Sequence, residues 1–277
     1  MSNNTKLELT AYKIRKHAID AVYSASSGHP GGSLSIADIL SVLYFDEMNV
    51  DPKDPKNPDR DRFVLSKGHT CPAYYAALAE KGFFDKELLL TFRKPDSILQ
   101  GHPDMKHIPG VDMSTGSLGQ GISAACGMAL SGKIRNKSYR VYAILGDGES
   151  EEGQVWEAAM MAAHYNLSNL CIFIDSNGLQ IDGTVEEVMN PNPFDEKFKA
   201  FGWNVCVIDG HNFDEIASAC ENARNSDKPT AVICKTVKGK GVSFMENNVA
   251  WHGSAPNDEQ YAIACADLEK LEKELNA

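Results

Sequence analysis

The chain has 277 residues and lacks most of what would set it apart from an ordinary globular protein. No run of about 18 or more apolar residues occurs, so no membrane-spanning helix is expected. Met1 to Leu7 are polar and carry no signal-peptide core, so the expectation is a cytoplasmic protein. There is no C-x-x-C pair. The seven cysteines (Cys71, Cys126, Cys171, Cys206, Cys220, Cys234 and Cys265) form an odd, scattered set, which suits buried thiols in a reducing compartment better than a disulfide framework. Positive charge is in deficit, with 27 Lys and Arg against 38 Asp and Glu and a formal charge of −11. That balance argues against a general nucleic-acid-binding surface, while leaving room for an anionic ligand held by local donors. No repeat, low-complexity tract or linker interrupts the sequence, so residues 1–277 are expected to form one domain.

What is present is a normal soluble composition, with 43% hydrophobic residues and 22 glycines. Four short apolar runs read as buried strands: 140–145, 170–174, 205–208 and 231–234. A weaker fifth covers 63–65. Helical periodicity marks residues 7–24, 119–134, 154–164, 213–225 and 257–275, and Ser35 is a candidate N-cap for another helix. Alternating strands and helices predict an α/β fold with a doubly wound parallel sheet.

Ligands in such sheets bind beyond the C-terminal strand ends, so the loops after the strands are where chemistry is expected. After Leu145 comes Gly146-Asp147-Gly148-Glu149-Ser150-Glu151-Glu152-Gly153. After Ile174 comes Asp175-Ser176-Asn177-Gly178-Leu179. Both loops combine glycine with hard oxygen donors, and neighbouring strands lie about 4.8 Å apart. Asp147 and Asn177 could therefore share one Mg2+ or Ca2+, and Mg2+ commonly completes its shell with phosphate oxygens and water. The competing reading is two Gly-rich turns with solvated acids.

Five of the eight histidines adjoin a glycine: His29, His69, His102, His211 and His252. Loop imidazoles can approach a ligand closely and exchange protons near neutral pH. His211 reads as structural, because Asn212 beside it is a candidate helix N-cap. A zinc site built from His69 and Cys71 fits no standard spacing. The turn Ser114–Gly121 feeds a helix N-terminus and suits anion binding through backbone N–H groups. Lys238 and Lys240, in KGKG, could face an anion, but the favoured reading is solvated loop charges.

These segments together resemble the N-terminal, diphosphate-binding portion of transketolase, a thiamine-diphosphate enzyme. The resemblance rests on SSGHPGGSLS (26–35), SKGHTCPAYYAAL (66–78), GHPD (101–104), STGSLGQG (114–121), GDGESEEGQVWEA (146–158), DSNGLQIDG (175–183) and KTVKGKGVSFMENNVAWHG (235–253). It implies a thiamine-diphosphate-binding fold with Asp147, Asn177 and the Leu179 carbonyl as Mg2+ ligands, Ca2+ being a possible substitute. It implies His69, Gly148 and His252 at the diphosphate, and Gly116 and Leu118 at the aminopyrimidine. His29, His102 and His252 would face the reacting centre and the substrate hydroxyls, and Glu152 would link cofactor sites across a subunit interface. Glu149 is more acidic than the residue usual at its position, which adds negative charge near the metal.

The resemblance also implies what this chain must be given. No second sheet domain and no G-I-A-E-Q-like segment is visible, so the expected partner is a C-terminal transketolase subunit carrying the pyrimidine-binding domain, in an α2β2 assembly. The implied activity is transfer of a two-carbon ketol unit between sugar phosphates, of the pentose phosphate pathway type. Alternatives are a 1-deoxyxylulose-phosphate synthase-like or special-sugar relative, or a non-catalytic cofactor-binding module. In this reading Mg2+ and the loop histidines reverse the sign of an acidic chain locally.

Overall fold

The computed structural model describes residues 2–276. Helices α1 (Asn3–Ala25), α2 (Pro30–Ser35) and α3 (Ala37–Val42) precede strand β1 (Arg62–Leu65) and helix α4 (Cys71–Lys81). Then come α5 (Gln120–Ile134), β2 (Val141–Gly146), α6 (Gly153–His164) and β3 (Leu170–Ser176). A small antiparallel hairpin, β4 (Leu179–Gln180) and β5 (Gly183–Thr184), leads through α7 (Val185–Val188) and α8 (Phe194–Ala200). The chain finishes with β6 (Asn204–Asp209), α9 (Phe213–Asn225), β7 (Thr230–Lys235) and α10 (Asp258–Asn276).

The five long strands form one parallel sheet in the order β1-β2-β3-β7-β6. Their side chains alternate between two cores. Phe63, Leu65, Tyr142, Ile144, Phe173 and Val232 pack with residues of α1, α3, α4 and α9. Val64, Val141, Ala143, Leu145, Ile172 and Ile174 pack with residues of α5, α6 and α8 on the other face. Both faces of β1, β2, β3 and β7 are dry, which is why these strands read as unbroken apolar runs, while the edge strand β6 is half exposed.

A helix does start close to Ser35, α3 at Ala37, but its capping residue is Ile36 and not Ser35. Ser35 is the last residue of an additional short helix, α2, which begins at Pro30 with His29 in the capping position. Proline at the first helical position has its φ already set and no N–H to leave unpaired. Ser35 instead turns its hydroxyl to the Gly32 carbonyl and to Asp175. Asn212 does cap α9, accepting from Asp214 N and Glu215 N. All seven cysteines are unpaired, and five of them are buried.

Candidate active site

The register of the sheet assembles the site. Gly146 of β2 lies opposite Asp175 of β3, so Asp147 and Asn177 leave adjacent strand ends on the same edge. The loops after β1 and β7 open on that edge too, carrying Lys67, His69 and Lys238. Here lies a cleft of about 310 Å³, lined among others by His29, His69, Gly116, Leu118, Asp147, Gly148, Asn177, Leu179, Lys238 and His252. The location agrees with the rule for open α/β sheets.

Asp147 is 3% exposed. Its two carboxylate oxygens accept from Gly148 N at 2.9 Å and Gly178 N at 2.6 Å. The second bond draws the Asn177–Leu179 segment onto Asp147. Burial, then the neighbouring Asp175 carboxylate, push the Asp147 carboxyl up to about 6. A bound divalent cation would relieve that penalty. Asn177 donates its amide to Asp175 at 2.9 Å, which assigns its Oδ1 as the acceptor end.

Among the described residues no group of three or more His, Cys, Asp or Glu side chains could hold a metal. One carboxylate, one amide oxygen and one carbonyl form an incomplete shell. That suits Mg2+ finished by diphosphate oxygens and water, and it suits zinc poorly. Cys71 points away from any zinc role: its thiol donates to the Gly101 carbonyl at 3.2 Å, and burial pushes it up to about 12. The donor set thus fits a magnesium diphosphate group.

Three imidazoles crowd the other wall. Ring centroids are 5.0 Å apart for His29 and His69, 5.6 Å for His29 and His252, and 5.3 Å for His69 and His252. Burial first, then nearby cations, lower His29 to about 4 and His252 to about 3, and hold His69 well below its ordinary value. These rings are neutral at pH 7. The expectation that loop histidines supply positive charge is therefore corrected: they offer hydrogen bonds and proton-accepting nitrogens.

The positive charge comes from a residue read as solvated. Lys238 is 2% exposed, and its ammonium donates to the Leu179 carbonyl at 2.9 Å and to His252 Nδ1 at 3.0 Å. Because ammonium only donates, His252 keeps its proton on Nε2 as its other donor. Burial, then Lys67, push Lys238 down to about 8. Only Lys240 matches the solvated reading; it is half exposed, with a loose 3.9 Å pairing to Glu246. Nothing local in KGKG separates the two lysines, since the difference lies in what β4 and the His252 loop place against one of them.

Glu149 lines the same cleft, near the metal position as its acidity implied, and it is also a staple, buried and 3% exposed. One oxygen accepts from Ser66 Oγ and from Gly119 N at 2.9 Å, the other from Gly146 N at 3.0 Å. It thereby fixes the Ser114–Gly121 turn, whose Gly119 has φ 77°, to the ends of β1 and β2.

His102 and Glu152 are the two expected site residues that do not line the cleft. His102 lies just beside it; a Cβ on Gly116 would be 3.3 Å from its ring. Glu152 is exposed at the start of α6, next to Gly119. His211 is structural, as expected, with Nδ1 paired to Asp38 at 2.7 Å and Nε2 accepting from Val237 N at 2.9 Å.

The profile of the "Transketolase, thiamine diphosphate binding domain" family matches residues 7–268. The chain belongs to the transketolase family. It is 49% identical to the 6-deoxy-6-sulfo-D-fructose transketolase subunit SqwG of Clostridium sp. (strain MSTE9), over 95% of this chain and 96% of that one. It is 44% identical to an apulose-4-phosphate transketolase subunit of Phocaeicola vulgatus, over 98% of both chains. The transketolase structure from Campylobacter jejuni superposes with a TM-score of 0.90 at 34% identity, covering 97% of this chain and 43% of that one. Against the human transketolase the identity is 45%, over 89% of this chain and 39% of that one. The chain thus spans under half the length of the undivided transketolases it matches and nearly all of the two subunits. The thiamine-diphosphate-binding α/β fold follows from this membership and from the sheet.

Proposed function

We propose that this transketolase chain is the N-terminal, diphosphate-binding subunit of a two-subunit enzyme that transfers a two-carbon ketol unit from a ketose to an aldose. The carrying observation is the convergence of Asp147, Asn177, Leu179, Lys238 and the imidazole wall in one cleft at the strand ends. In this reading residues 1–277 act as one cofactor-holding domain. Asp147, Asn177 and the Leu179 carbonyl hold Mg2+, while His69, Gly148, His252 and Lys238 hold the diphosphate. Gly116 and Leu118 meet the aminopyrimidine.

Thiamine diphosphate, when bound, supplies the carbon nucleophile and the electron sink that ketol transfer needs. The chain's own task is to fix that group and to handle protons. Neutral His29, His102 and His252 accept and return protons at the substrate hydroxyls, a role that protonated imidazoles could not begin. Glu152, exposed beside Gly119, reaches into the interface with the partner. That partner is a C-terminal subunit carrying the pyrimidine-binding domain, in an α2β2 assembly. The relatives matched end to end are named for 6-deoxy-6-sulfo-D-fructose and apulose-4-phosphate. The substrate proposed here is accordingly a special ketose with a terminal anionic group, rather than an intermediate of the pentose phosphate pathway. The unpaired thiols fit a cytoplasmic setting.

The test combines the chain, its candidate partner, Mg2+ and thiamine diphosphate with a panel of donors: xylulose 5-phosphate, 6-deoxy-6-sulfo-D-fructose and apulose 4-phosphate. Ketol transfer is expected only when both subunits are present. No transfer from any donor with any partner would overturn the proposal. Within that assay, His102→Ala is expected to leave cofactor affinity within about twofold and to lower turnover by about 100-fold. Calorimetry and initial rates separate these two effects. Loss of folding instead would show that the His102 loop is merely structural.

A further inference from the structure

The segment between Phe92 and His102 contributes no other residue to the proposed site, yet it holds a cation against both loops that carry imidazoles. Arg93 has φ 59°, a left-handed backbone uncommon outside glycine. Its N–H donates to the Leu99 carbonyl at 2.8 Å. From there the guanidinium reaches two neighbours. Nη1 donates to the hydroxyl of Ser27, two residues before His29, at 2.6 Å. On its other side lies Gly101, directly before His102, where a Cβ would come within 2.8 Å of Nε. Glycine at 101 is what allows this approach.

The cation is unusual in its company. Among the described residues no carboxylate pairs with Arg93, and its buried Nε has no hydrogen-bond partner. The buried Nδ1 of His29 also has none. The charged and titratable groups facing His29 are Arg93, His102 and Lys238, with the His69 and His252 rings beside it. Arg93 also faces His102, whose titration burial and this charge both lower.

We propose that Arg93 is a positioning residue, whose guanidinium clamps the Ser27–His29 turn to the Gly101–His102 turn and holds the two substrate-facing imidazoles at a fixed spacing. The inference rests on the reading of His29 and His102 given above. A planar fork with several donors can span two loops in fixed geometry, where a lysine supplies only a point charge.

Two variants separate charge from geometry. Arg93→Met keeps an unbranched apolar stem and removes the charge and the fork; Arg93→Lys keeps the charge alone. The first measurement is imidazole NMR of the full chain, with resonances assigned through His29→Gln and His102→Gln. In Arg93→Met both rings are expected to titrate at least about half a pH unit higher. In Arg93→Lys the titration is expected to stay low. In the reconstituted assembly Arg93→Lys is expected to lower kcat about tenfold, with the KM for thiamine diphosphate unchanged. Unmoved titration in Arg93→Met, or full turnover in Arg93→Lys, would overturn the clamp. If Arg93→Met does not fold, Arg93→Lys turnover decides alone. Failure of the wild-type assembly to bind thiamine diphosphate would instead count against the proposed function, and it would leave the NMR comparison readable.

Discussion

Asp147→Ala is expected to weaken Mg2+-dependent binding of thiamine diphosphate by about two to three orders of magnitude, the loss typical when a buried charge is left without its partner. The carboxylate is fixed at the end of β2 by two backbone N–H groups and cannot swing to solvent. Its removal leaves the metal with one amide oxygen and one carbonyl from this chain. Calorimetry of the two-subunit assembly at fixed Mg2+ measures the effect; wild-type affinity in the variant would refute the metal assignment. The same group predicts a pH signature. Its carboxyl in the folded chain, at about 6, lies above the ordinary 3.8. The native state therefore binds this proton more tightly than the unfolded chain does. The contribution of this group to stability falls as pH rises from about 4 through about 6. Thermal unfolding in chelator at pH 5 and pH 7.5 should show that fall in the wild type and a smaller one in Asp147→Ala. Mg2+ with cofactor should offset it. Folding is expected to survive, because relief of the buried charge opposes the loss of two hydrogen bonds.

The largest stability effect is expected at Asp175, a residue with no part in the proposed chemistry. It is completely buried and accepts from Lys67 Nζ at 2.5 Å, Ser35 Oγ at 2.7 Å, Asn177 Nδ2 at 2.9 Å and Thr236 Oγ1. These partners come from four separate stretches of chain, among them Asn177 itself and the segments that lead to His69 and Lys238. Asp175→Ala is expected to cost about 3–5 kcal/mol, because it strands the Lys67 ammonium in the interior. Urea unfolding measures this, and a loss below about 1 kcal/mol would contradict the hub. Adding Lys67→Met to the variant should recover much of the loss, since a hydrophobic pair need not be desolvated. Burial alone would raise the Asp175 carboxyl, but Lys67 and the hydrogen bonds outweigh it and hold it below its ordinary value. Its stabilising contribution is thus present above the usual carboxylate range and lost as pH falls through the lowered value.

Much of this arrangement is legible in one dimension. All five strands of the main sheet can be placed within about two residues of their ends, four of them because dry strands leave apolar runs and the half-exposed edge strand β6 because its residues 205–208 are apolar all the same. Asp147 and Asn177 stand out because a Gly-rich loop after a strand is where an α/β sheet keeps its ligands. The short helix α2 is hidden, because Ser35 before the apolar run of α3 reads as a cap while it in fact closes α2 and its hydroxyl serves a distant carboxylate. Helix α4 is hidden in the same way, since its residues carry a motif more visibly than a period.

The residues whose roles stay hidden in the sequence share one property: those roles depend on partners remote in sequence. Glu149 gains its meaning from Ser66 and Gly119, and Lys238 from Leu179 and His252. Arg93 carries no local signal beyond its type. The order of residues alone is enough for the sheet, the loops that hold the chemistry, and the family. The charge states are settled only in three dimensions, where desolvation and neighbouring cations make the imidazoles neutral while buried cations, Lys238 among them, supply the positive field. Local periodicity records which side chains leave water; it does not record which charges they meet there.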